Sequence, residues 1–159
     1  QDPSTWEFHR VRQFYKVLKC NELVHRYEQE NNFKYDIIIR SRPDTKFLFK
    51  KINIKNIINS FKGNLNNSVF VFGGWPDPNG HAKSRIGFFD GFAFGVPSVM
   101  DIYSNVYFNK KVYANGGHPT DKENPGNQLE QYLIENGLKI VYIHGPARNK
   151  RQRGYITIR

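Results

Sequence analysis

Tyr35-Asp36-Ile37-Ile38-Ile39-Arg40-Ser41-Arg42-Pro43-Asp44 is the stretch that decides the fold. Three consecutive isoleucines read as a buried strand, because β-branched side chains suit a pleated sheet and the run has strand length. Pro43 has no N–H to give a ladder, so the strand either stops there or lies at an edge. Arg40, Arg42 and Asp44 are then presented at a strand's carboxyl end, where open α/β sheets take their ligands. Alternation puts Arg40 and Arg42 on one side. Two guanidiniums suit a phosphate-rich partner, and a carboxylate suits a hard metal ion or a sugar hydroxyl. The structural alternative is a strand end whose arginines pair with Asp36, Asp44 or helix carboxylates.

Upstream, residues 5–31 carry two apolar quartets at helical spacing. Val11, Phe14, Tyr15 and Leu18 form one, and Cys20, Leu23, Val24 and Tyr27 the other. At 100° per residue the two fall on nearly opposite faces, so the helix is either buried on two sides or broken near Cys20-Asn21. Downstream, Thr45–Phe49 reads as a short strand, Ile54–Phe61 as a short helix closed by Gly63, and Ser68–Phe72 as a buried strand. The polar segment Gly73–Gly87 has the length of a functional or mobile loop. Asp90–Gly95 (DGFAFG) is apolar and aromatic, and Pro97 opens a helix with Val99, Ile102, Tyr103 and Val106 along one stripe. A second loop spans 114–126 and holds His118 and Asp121. A helix over 127–136 follows, with Leu129, Tyr132 and Leu133 inward and Gly137 as its stop. Strands are expected at 138–143 and 155–158. Helices and strands alternate, which makes the chain α/β with at least part of the sheet parallel.

A length of 159 residues sets one domain as the expectation, residues 1–159, with 145–159 as a basic tail. The hydrophobic share of 38% and aromatic share of 15% supply a core and argue against general disorder. A formal charge of +10 favours anionic partners: nucleotide-sugars, nucleic acid, acidic glycans or a membrane surface. Much of it sits at the end, where Arg148, Lys150, Arg151, Arg153 and Arg159 occur with no acid between them. Cys20 is the one cysteine, which excludes an internal disulfide or a cysteine-rich zinc site and is expected to be a small buried hydrophobe. No run approaches the ~18 apolar residues of a membrane span, and no signal-peptide core opens the chain. A soluble protein of a reducing compartment such as the cytoplasm is expected. There is no phosphate-binding Gly-x-x-x-x-Gly-Lys-Ser/Thr loop, no Gly-x-Gly-x-x-Gly turn and no Gly-x-Ser-x-Gly elbow.

Three segments together, YDIIIRSRPD at 35–44, FFDGFAFGVPSVMDIY at 88–103 and NQLEQYLIENGLKIVYI at 127–143, resemble the glycosyltransferase-like proteins of large DNA viruses and microbes. The fold of that family is similar to GT-A, and the likeness covers roughly residues 10–145. Its pattern is a strand ending in Arg-x-Arg-Pro-Asp, an Asp-x-Phe-x-x-Gly segment entering a helix with a Met and a Tyr, then a closing helix and strand.

The resemblance implies a GT-A-like mixed sheet flanked by helices. It also implies a glycosyltransferase that moves a sugar from a nucleotide-sugar to a glycan or protein hydroxyl. Arg40, Arg42 and Asp44 would stand where GT-A enzymes carry the Asp-x-Asp element that holds Mn²⁺ or Mg²⁺ against the donor diphosphate. Asp90 would be the general base at the acceptor, and His144 a further metal ligand. Arg42 replaces the first Asp of that element and Asn127 replaces an expected Glu, so an arginine clamp on the diphosphate is the counterpart of the metal. GT-A folds open with a nucleotide-binding strand ahead of the first helix, and none precedes Trp6, which implies an N-terminally truncated sheet. Trp75 in Gly-Gly-Trp-Pro-Asp either stacks on a sugar or base or pins its loop. Asp90 is either the base or the Asp of an Asp-Gly turn. Asp44 is a metal or sugar ligand or a turn cap, and His144 and His118 are ligands or ordinary loop residues. Arg148, Lys150, Arg151 and Arg153 could reach back over a diphosphate, form a solvated end, or bind nucleic acid through its phosphates. The alternative function is a non-catalytic basic module that binds glycan or nucleic acid, although no zinc-finger, recognition-helix or aromatic RNP signature accompanies the tail.

Overall fold

A computed structural model describes residues 3–43, 53–73, 88–109, 125–143 and 156–158. A five-stranded mixed sheet lies at its centre, in the order β1-β3-β2-β4-β5. The strands are β1 (Ile38–Ser41), β2 (Ser68–Gly73), β3 (Phe88–Gly95), β4 (Lys139–Ile143) and β5 (Ile156–Ile158). The helices are α1 (Pro3–Glu30), α2 (Ile54–Ser60), α3 (Pro97–Ser104) and α4 (Pro125–Glu135). β2 and β4 are parallel neighbours, Val69 opposite Ile140 and Val71 opposite Tyr142. β3 runs antiparallel to both β1 and β2, and β5 antiparallel to β4. The expected mixed α/β architecture is therefore present.

Alternation along each strand divides the apolar side chains between two layers. Val69, Val71, Ala93, Ile140 and Tyr142 face α1, α3 and α4, packing with Phe14, Val99, Tyr103, Leu129 and Leu133. Phe70, Phe72, Phe92, Phe94, Val141 and Ile143 face the other way, against Ile54, Ile57 and Ile58 of α2. Near-continuous apolar runs such as Ser68-Val-Phe-Val-Phe72 follow from this burial on both faces. The second layer is largely aromatic: Phe70 and Phe94 stack at 4.7 Å and 4°, and Phe61 meets Phe70 edge-on at 5.0 Å.

Helix ends follow their local chemistry. Asn53 caps α2 by accepting the Asn56 N–H, and Pro97 occupies the first turn of α3. α1 closes with Asn32 at φ 51° and Phe33 N–H on Glu28 O, the left-handed stop for which asparagine is second only to glycine. Gly137 takes φ 80° after α4.

Several expectations are refined. α1 runs unbroken through Cys20-Asn21 and buries one face only: Phe14 and Leu18 are covered, but Leu23 and Tyr27 stand open. Cys20 is exposed, correcting its expected burial, because its stripe meets no second layer. The first strand is shorter than its apolar run, starting at Ile38, and it both stops before Pro43 and lies at the sheet edge. DGFAFG belongs to a strand, β3, as its buried Phe92 and Phe94 require. The strand expected at 45–49, the loop 74–87 and His118 lie outside the described residues.

Candidate functional site

β1, β2 and β4 share one direction, because β1 and β2 are each antiparallel to β3 and β4 is parallel to β2. Their carboxyl ends, Ser41, Gly73 and Ile143, therefore lie along one edge of the sheet. β3 begins at that edge with Phe88, and Ile156 of β5 lies opposite Ile143. At ~4.8 Å per strand, roughly 14 Å separates β1 from β4.

Of the residues singled out from the sequence, Arg40, Arg42 and Asp90 are among the described residues. Arg40 is within β1 and Arg42 directly follows it; Asp90 is within β3. Asp44, Trp75, His144, Arg148 and Arg153 lie outside the described residues. In the chain Asp44 follows β1, Trp75 follows β2, His144 is next to Ile143, and the two arginines fall between β4 and β5.

Arg40 faces the helical layer. Its Nη1 donates to Tyr103 Oη at 3.1 Å, and its guanidinium lies 5.5 Å from the Tyr103 ring centroid. Tyr103 is fully buried in α3, so the hydroxyl is a fixed anchor that holds the guanidinium in one orientation. Arg42 extends the ladder by one bond, its N–H on Gly91 O at 2.9 Å.

That bond frames an irregularity in β3. Val71 pairs with Ala93 and Gly73 pairs with Phe88, so the β2–β3 register shifts between these two pairs. Asp90 and Gly91 fall inside the shift, held toward β1 through Gly91 O but out of step with β2. Bulges of this kind re-aim side chains, and they concentrate beside active sites.

A second polar cluster, which the sequence did not reveal, ties α1 to α3 and to the turn before β1. Glu28 is 1% exposed. Its Oε1 accepts the Tyr35 N–H at 2.9 Å, and its Oε2 accepts from Lys34 Nζ at 3.0 Å and His25 Nδ1 at 3.1 Å. His25 Nε2 lies 2.5 Å from Asp101 Oδ1, which also accepts from Asn21 Nδ2 at 2.6 Å. The Tyr35 N–H, then Lys34, hold the Glu28 carboxyl down to about 2. Asp101 and then Glu28 outweigh desolvation and raise His25 above its ordinary value. Both imidazole nitrogens meet carboxylates, which selects the doubly protonated ring. The i,i+3 spacing of His25 and Glu28 is visible in the chain; Asp101, far away in sequence, is not.

Among the described residues no group of three or more His, Cys, Asp or Glu is placed to hold a metal ion, and no helix is long and apolar enough to cross a membrane. No family model, curated protein or solved structure matches the chain.

Proposed function

We propose that this chain is a glycosyltransferase domain of GT-A-like fold, moving a sugar from a nucleotide-sugar to a glycan or protein hydroxyl. The observation that supports the reading is the register shift near the start of β3, the strand that contains Asp90 and begins where β1, β2 and β4 end. A carboxylate there is suited to take the acceptor hydroxyl's proton as the sugar passes through an oxocarbenium-like state. The charge that develops on the departing diphosphate calls for fixed cations at the same edge. Arg42, directly after β1, is one candidate, and Arg148 and Arg153, which fall between β4 and β5 in the sequence, would be others. Arg40, oriented by Tyr103, would hold phosphate or sugar. Trp75, just past β2, would stack on a sugar or base face.

A divalent ion is part of the proposal. Asp44 and His144 would hold it, and it would neutralise diphosphate charge. One carboxylate and one imidazole, as residue types, suit an ion that shares that task with arginines better than one held by an acidic pair.

The test is thermal stability against nucleoside diphosphates and nucleotide-sugars, with and without Mn²⁺. A ligand that binds only the folded chain raises its melting point by mass action. A rise confined to one nucleotide class supports a donor site, and a rise requiring Mn²⁺ supports the ion. No rise with any of them would refute the transferase reading and favour a glycan- or nucleic-acid-binding module, for which the charge of +10 is the supporting feature.

A further inference from the structure

α1 carries two apolar stripes and the fold covers one. On the other, Leu23 and Tyr27 are 51% and 52% exposed. Together with Tyr35 and Ile39, themselves 39% and 51% exposed, they wall a groove of about 670 Å³ between α1 and β1. Lone exposed apolar side chains are ordinary, but a contiguous set along a groove marks an interaction surface.

Among the described residues, the groove runs along a strand edge that no other strand pairs with. Arg42 N–H bonds Gly91 O, and Arg40 and Ile38 stand opposite Ala93 and Gly95 in the same phase. Even-numbered residues thus bond β3, and Ile39 and Ser41 turn their N–H and C=O groups outward. Among the described residues nothing lies beyond β1 in the sheet. Edge strands of soluble proteins are usually blunted by lysine, proline or a bulge. Ile38–Ser41 contains no lysine or proline, and its register with β3 is regular. Its one cation, Arg40, is turned inward to Tyr103.

We propose that a second copy of this chain pairs with the edge, β1 to β1 and antiparallel, about a twofold axis through Ile39. An isologous contact needs a surface complementary to itself. The twofold sets Ile39 against its own copy and Ile37 against Ser41, and each outward donor meets an outward acceptor. It also lays the two α1 helices antiparallel over the junction, where the exposed stripe of each covers the groove of the other. The charges on the groove complement each other in this arrangement: Arg26 and Glu30 lie one turn apart on α1 and both line it. Reversal of the helix direction brings the basic end of one rim toward the acidic end of the other. The contact is independent of the proposed transferase chemistry, which lies at the carboxyl ends of the strands.

Sedimentation velocity of the full chain across the micromolar range is the test. The expected result is a monomer–dimer equilibrium that tightens as salt rises, because salt screens the repulsion between two copies of charge +10. Ser41→Pro removes only an outward donor, and Ile39→Lys blunts the edge. Across the twofold, Ser41→Pro removes two symmetry-related hydrogen bonds and Ile39→Lys sets two like charges face to face, and each is expected to weaken association by about tenfold or more, with the melting point of the monomer unchanged. A chain that stays monomeric throughout overturns the proposal and leaves the edge to a strand of another polypeptide. Association that both substitutions leave intact overturns it as well.

Discussion

Replacing Tyr103 by Phe removes one oxygen from a fully buried ring and leaves its packing in place. The Oη lost is the acceptor for Arg40 Nη1 at 3.1 Å. A hydrogen bond to a charged donor contributes roughly 1.5–3 kcal/mol. Arg40 is half-buried, so the lower half of that range applies, and the cation–π contact survives because the ring remains. The expected coupling between Arg40 and the hydroxyl is about 1–2 kcal/mol. A double-mutant cycle of Tyr103→Phe, Arg40→Met and the pair isolates it, since Met keeps the apolar stem. Urea unfolding followed by circular dichroism reads it out. At a slope of ~2 kcal/mol/M, within the usual range for small proteins, Tyr103→Phe alone should lower the midpoint by about 0.5–1 M. A coupling energy under ~0.3 kcal/mol would refute the anchoring of Arg40. On the proposed transferase reading, Tyr103→Phe is expected to weaken donor binding indirectly, because the guanidinium loses its fixed orientation.

The Glu28–His25–Asp101 cluster gives the chain a pH profile with two limbs. Glu28, lowered from 4.5 to about 2, contributes stability that is complete above pH 4.5 and lost as pH falls toward 2. His25, raised above 6.5, contributes stability that is complete below pH 6.5 and lost as pH rises through its elevated value. Melting temperature should therefore plateau between these limbs; His25→Gln should flatten the alkaline limb and Glu28→Gln the acid one, and wild-type limbs in both variants would discard the assignment. Gly95→Ala should destabilise by about 1–3 kcal/mol, as an added Cβ would sit 2.9 Å from Val99 Cγ1 and 3.4 Å from Ser68 O. Denaturant midpoints check it, and a neutral substitution would show that α3 can shift away from the sheet. Asp90→Asn should cut transfer by roughly 10²–10⁴-fold while donor-induced stabilisation persists; sugar transfer at the wild-type rate would remove Asp90 from the mechanism.

Strands buried on both faces announce themselves, and so β2, β4 and the core of β1 were legible as short β-branched or aromatic runs. α3 and α4 were legible through Pro97, Gly137 and one clean stripe each. α1 was ambiguous because two stripes on a helix have the same spacing whether or not a second layer exists, and burial of Cys20 hung on that layer. β3 escaped as a strand because Asp90-Gly91 looks like a turn; it is in fact a break in register within a strand, and only the partners' positions reveal it. The candidate edge could be anticipated at β1, since Pro43 fixes where the strand ends. The buried Glu28 could not, because its partners arrive from a turn and from another helix. Tyr103 read as one more core ring, and its hydroxyl gained a role only when α3 was laid across β1.

The central parallel pair has a kinetic consequence. Val69 can meet Ile140 only after β3, α3 and α4 have been laid down between them, so the middle of the sheet closes late and over a long loop. Chains dominated by such distant pairings fold slowly. During synthesis β2 emerges as Val-Phe-Val-Phe with its eventual neighbour still unmade. Until then it has only the antiparallel β3 to cover one side. The growing chain thus carries an aromatic, unpaired strand through the interval in which aggregation competes with folding, and faster release of residues 125–143 would shorten that interval.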